Sequence, residues 1–130
     1  MIRVYIDGAA NPKKQVSSIG ILVIENGKQT QISEKLAAYH DNHEAEFLAF
    51  YYVLEMLTEQ QKQDEWIFCH SDSKSLVQAI EKQYARKESH QQLLEKCLTL
   101  MSCFHQLTLT WIPEKENKGA DNLARQGLYK

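Results

Sequence analysis

An Asn-Gly pair at positions 26 and 27 lies between runs at about 18–25 and about 28–36 that read as strands. It restricts what this chain can fold into more than any other feature. Asn-Gly is the preferred two-residue hairpin turn because both of its positions accept positive φ, so the two runs predict an antiparallel pair. Ahead of them, Ile2-Arg3-Val4-Tyr5-Ile6-Asp7-Gly8 is apolar and β-branched up to a glycine, the pattern of a strand passing into a turn at Asp7-Gly8. Three strands therefore come first. The period then changes: a helix over roughly 43–60, capped by Asp41 or Asn42, carries Glu46, Ala49, Phe50, Val53 and Leu57 on one stripe. A strand at about 66–71, helices at about 73–82 and about 88–104, a strand at about 107–112 and a short helix at about 117–127 complete the order βββαβααβα. Strands joined by helical crossovers run parallel and bury both faces of their sheet, so the expected class is α/β.

Four acids stand against this pattern. Asp7 and Asp72 each close an apolar run, Glu46 heads the buried stripe of the long helix, and Asp121 shares a face with Ala124 and Leu128. Singly, each has an ordinary explanation as a turn residue, a helix cap or the wet edge of a stripe. Together they are costly, because an ionised side chain among apolar neighbours needs a metal or a partner to compensate it. In open α/β sheets ligands gather outside the strand ends where connections diverge, so the four are expected to surround one small volume. Empty of cations, they would raise one another's pKa values. Two Mg²⁺ ions would relieve that repulsion, and the expected chemistry is in-line hydrolysis of a phosphodiester.

The 130 residues, 43% of them hydrophobic, are the size of one domain with a full core, so residues 1–130 are expected to form a single unit. No run approaches the roughly 18 apolar residues of a membrane span, and Asp7-Gly8 interrupts any signal-peptide core, so a cytoplasmic protein is expected. Cys69, Cys97 and Cys103 are odd in number and form no CxxC pair, which predicts small reduced core residues. His40, His43, His70, His90 and His105 show no ligand spacing, which argues against a zinc centre. Trp66 and Trp111, on predicted strands, are expected to pack as core aromatics, and Glu44 and Glu114 to be solvated.

The formal net charge of −2 is unlike the basic surface of most proteins that grip phosphates. Lys13 and Lys14 after the first strand, and Lys115, Lys118 and Arg125 around Asp121, are the local exceptions; Lys82, Arg86 and Lys87 read as solvated surface. Cations held by the four acids would make the field at a substrate less negative than the formula suggests.

In order and spacing, YIDGAANP, DNHEAEFLAF, HSDSKSLVQAI and WIPEKENKGADNLAR resemble the motifs of the ribonuclease HI family across essentially the whole chain. The resemblance implies the ribonuclease H-like fold, a mixed five-stranded sheet of order 3-2-1-4-5 flanked by helices. It also implies Mg²⁺ or Mn²⁺ dependence and endonucleolytic cleavage of the RNA strand of an RNA–DNA hybrid. By position in those motifs, Asp7, Glu46, Asp72 and Asp121 match the metal-binding acids, and Asn11 and Asn42, with Lys13 and Lys14, fall in the substrate-binding segments. The departures are specific. The glycine-rich turn of the family, often GNPG, keeps only Asn11-Pro12, and Asp41-Asn42-His43 stands where Thr-Asn-Asn is common, which puts a phosphate-repelling carboxylate at Asp41. The segment between Lys82 and Glu88 is too short for the extra basic helix of some members. The loop before Asp121 lacks the histidine of the bacterial enzymes, while Pro113, Asn117 and Ala120-Asp121 follow a histidine-free branch. The expectation is a metal-dependent nuclease of hybrids. A non-catalytic relative that binds metal or nucleic acid, or a protein-interaction module on the same fold, are the alternatives.

Overall fold

A computed structural model describes residues 1–130. Its order is β1 (Ile2–Asn11), β2 (Val16–Glu25), β3 (Lys28–Lys35), α1 (Asn42–Glu59), β4 (Trp66–Ser71), α2 (Lys74–Lys82), α3 (Glu88–Met101), β5 (Gln106–Trp111) and α4 (Lys118–Gly127), with a 3₁₀ turn at Glu114–Glu116 before α4. The β2–β3 hairpin turns at Asn26 (φ 52°) and Gly27 (φ 77°), the two positive values this turn demands. All five strands form one sheet of order β3-β2-β1-β4-β5. The pairs β1–β2 and β2–β3 are antiparallel, and β1–β4 and β4–β5 are parallel, so the sheet is mixed and follows the expected topology.

Strand β1 differs from its sequence expectation. It does not turn at Asp7-Gly8 but runs on to Asn11, paired with β2 as far as Asn11↔Val16. Gly8 is there for closeness: a Cβ at this position would come 2.6 Å from backbone atoms of Ala45 and Glu46, so its bareness lets α1 settle on the strand. The parallel ladder to β4, however, stops at Ile6↔Ser71. Asp7 is thus the first residue beyond that ladder and stays inside the antiparallel one.

Alternation sorts the side chains. Ile2, Val4 and Ile6 of β1, Ile19, Ile21 and Val23 of β2, and Ile67 and Cys69 of β4 enter one core with Phe47, Phe50, Val53, Leu54 and Leu57 of α1 and Leu94 and Cys97 of α3. On the other face α4 lies across β2 and its neighbours, where the Ser18 hydroxyl donates to the carbonyl of Ala124 and Ser33 Oγ to Leu123 O (2.5 Å). Beyond α4 that face is bare. Trp66 (58% exposed) stacks on Phe68, and Tyr5 stacks on His70. Trp66 is not a core residue as expected, because no helix covers the outer face of β4; Trp111 shares the core face with Leu107 and Leu109 but stands at the last position of β5, where it is 40% exposed. Cys69 and Cys97 are buried, but Cys103 lies in the exposed turn after α3, which ends at Met101 and not near residue 104. No helix is long and apolar enough to cross a membrane.

Candidate active site

Where the parallel ladder ends, the chain opens a cleft of about 620 Å³ lined by Asp7, Glu46, Asp72 and Asp121. Each acid arrives from a different element. Asp7 continues β1 past its β4 pairing, Asp72 follows the last residue of β4, Glu46 sits in the second turn of α1, and Asp121 in the first turn of α4. Asp7 and Glu46 are buried, while Asp121 is part-exposed at the rim, forked by Arg125 through contacts of 3.1 and 3.2 Å.

Neighbours fix the others. Asn42 Nδ2 donates to Glu46 Oε1 at 2.9 Å, and Glu46 Oε2 is buried without a hydrogen-bond partner. Asn117, 1% exposed, donates through Nδ2 to the carbonyl of Ile6 (2.9 Å) and to Asp72 Oδ2 (3.2 Å), which ties the first strand, the Asp72 loop and the start of α4 to one amide. The indole of Trp111 donates to the Asp72 carbonyl at 3.2 Å, and Lys74 Nζ stands 5.0 Å over the same ring. Asp72 is not the cap of α2; Ser73 is, accepting from Leu76 N–H.

The electrostatics follow from this crowding. Burial first, then the charges of Asp72, Glu46 and Asp121, push Asp7 up to about 9. Burial likewise lifts Glu46 to about 7, opposed by the Ser73 hydroxyl and reinforced by Asp72, Asp41 and Glu114. Asp72 is also raised, by burial and by Glu114 and Asp121, with Asn117 pulling the other way. Against five carboxylates in the lining stand only Lys74 and Arg125, and Arg125 is already engaged. A cleft of this kind attracts cations.

Of the residues expected to meet substrate, Asn42 lines the cleft and Asn11, Lys13 and Lys14 do not. Asn11 Oδ1 accepts from Lys14 N–H in the β1–β2 turn, and Lys14 Nζ lies 5.7 Å from the Tyr129 ring. Sequence reading gave no role to Ser73, Lys74 or Ser75, took Trp111 as a core aromatic and Glu114 as merely solvated, and noted Asn117 only as part of a pattern, although each lines the cleft or fixes an acid in it. The buried amide of Asn117 had one sequence signal, its place four residues before Asp121 at the mouth of a helix. His70 does not line the cleft; it stacks on Tyr5 with ring centroids 4.8 Å apart.

The family model described as reverse transcriptase-like matches residues 5–127. The chain belongs to this family. A relative in Enterococcus faecalis, named "Putative hydrolase EbsB", is 37% identical over 130 residues, covering all of this chain and 96% of that protein. Among solved structures, LC11-RNase H1 in complex with an RNA/DNA hybrid superposes with a TM-score of 0.87 at 21% identity, covering 99% of this chain and 97% of that one. RNase H1 from the halophilic archaeon Halobacterium salinarum gives 0.82 at 19% identity over 98% and 97%. The family member described above therefore has the ribonuclease H fold, over its full described length.

Proposed function

We propose that this protein is a metal-dependent endoribonuclease that hydrolyses the RNA strand of RNA–DNA hybrids in the cytoplasm. In this reading Asp7, Glu46, Asp72 and Asp121 are the catalytic, metal-binding acids, and two Mg²⁺ or Mn²⁺ ions are the cofactors. The observation that carries it is the convergence of four carboxylates from four elements on one cleft, with the pKa of three of them raised. The donor set fits hard divalent cations: it is all oxygen, and Glu46 Oε2 is a buried acceptor that no protein group satisfies. What cations bound there supply is charge to prepare a water for attack and to stabilise the leaving 3′-oxygen. The chain itself does the positioning. Asn42 holds one oxygen of Glu46 and leaves the other free, Asn117 anchors one oxygen of Asp72, and the Arg125 fork orients Asp121. Asn42 in the cleft, with Asn11, Lys13 and Lys14 on the β1–β2 turn, are the contacts assigned to the substrate. The likeness in fold to LC11-RNase H1, solved with an RNA/DNA hybrid, supports that substrate.

The test is cleavage of a labelled hybrid in Mg²⁺ and in Mn²⁺, with duplex DNA and duplex RNA as controls. Cuts confined to the RNA strand of the hybrid, and absent with chelator, are expected. Retention of hybrid or Mn²⁺ with no cleavage in either ion would overturn the enzyme in favour of a binding protein, and retention of neither would favour a protein-interaction module.

A further inference from the structure

The tightest group of metal-capable side chains is outside the cleft. One ligand atom each from Asp41, Glu44 and His90 lie within 4.8 Å of one another, all three residues half-buried. Two come from the mouth of α1 and the third from the first turn of α3, which packs against α1. A capping box accounts for half of each carboxylate: Asp41 Oδ1 accepts from Glu44 N–H (2.8 Å) and Glu44 Oε1 from Asp41 N–H (3.0 Å). The second oxygen of each makes no hydrogen bond to the protein. His90 is not explained by capping. Its ring packs 5.5 Å from Phe47 and 6.0 Å from His43, and its Nε2 is shut off from water with no hydrogen-bond partner. A buried imidazole nitrogen left without a partner is costly, and a cation ligated through it removes that cost.

From this juxtaposition we infer that Asp41, Glu44 and His90 form a second divalent-metal site, separate from the cleft acids, that takes a first-row transition cation of the Zn²⁺ type. One imidazole with two carboxylates suits Zn²⁺, whereas the all-oxygen set of the cleft suits Mg²⁺ or Mn²⁺. Three protein donors leave a fourth position for water or another ligand, and His40 Nδ1 stands nearby, 3.6 Å from Glu44 Oε1. The positive end of the α1 dipole opposes a cation here, but it amounts to roughly half a unit charge against two full carboxylate charges. An ion at this place would pin the start of α1 to α3 and cancel the charge of Asp41 beside Asn42 and His43, which line the cleft.

The experiment is calorimetric titration of the full chain with Zn²⁺ in a large excess of Mg²⁺, for the unaltered protein, Glu44→Gln, His90→Gln and the double variant Asp7→Asn/Asp72→Asn. Gln at position 44 keeps the capping box while removing the ligand charge, so a folding defect does not obscure the answer. The expected result is one Zn²⁺ bound, its affinity lowered more than about tenfold by Glu44→Gln and by His90→Gln and retained in the cleft double variant. No Zn²⁺ binding, unchanged binding in Glu44→Gln, or binding lost only in the double variant would each overturn the site.

Discussion

Asp7 is the carboxylate whose protonation the fold alters most. An unfolded chain titrates it near 3.8, and the folded chain, by burial and by three neighbouring acids, near about 9. The folded state therefore binds this proton more tightly, so the associated stability is complete below the unfolded value and is lost as pH rises towards the folded one. Glu46 acts in the same sense between 4.5 and about 7. In chelator, the melting temperature should fall between about pH 5 and about pH 8, and Asp7→Asn should flatten that slope while abolishing hybrid cleavage. Thermal melts at both pH values decide it; a large loss of stability in Asp7→Asn at the higher pH would mark Asp7 as structural. Asn117→Ala should behave differently. It strips the buried carbonyl of Ile6 and the carboxylate of Asp72 of one shared donor, so a destabilisation of about 1–3 kcal/mol in denaturant unfolding is expected, together with slower cleavage.

At the scale of elements, the start of α1 does two jobs. Asp41 closes the capping box with Glu44, and its charge reaches Glu46. Asp41→Ala should cost about 1 kcal/mol of stability, whereas Asp41→Thr, also a good cap, should be near neutral. Asp41→Thr should also tighten hybrid binding and steepen its salt dependence, because it removes a repulsion and offers a hydroxyl; filter binding at two salt concentrations measures both. The same helix marks what was legible in the sequence. Its stripe of Glu46, Ala49, Phe50, Val53 and Leu57, its Asp41 cap and the Asn26-Gly27 hairpin are local signals of period and turn chemistry, and the structure follows each of them. The end of β1 was not legible, because Gly8 in a strand against a helix and Gly in a turn look alike until the partner is known. Nor was the exposure of Trp66: a strand's pattern says which side chains share a face and not whether a helix covers it. The Asp41, Glu44 and His90 grouping was hidden for a related reason, since its third member lies on another helix.

Across the whole molecule the cleft is closed by the last helix. Gly20 lies under α4, and a Cβ there would collide with the backbone of Ala120 and Ala124. Gly20→Ala should therefore lift α4 from β2, with a loss of about 3 kcal/mol, and displace Asp121 from the cleft, so that Mn²⁺ affinity falls along with the unfolding midpoint. The decisive link is the hydrogen bond from Asn117 to Ile6, which spans 111 positions of sequence. Contacts this remote form late, after the local hairpin and the helices. Until α4 has docked, the first three strands and the long helix hold an incomplete set of acids. For the proposed nuclease, hybrid cleavage should therefore return in refolding more slowly than the circular dichroism of the helices.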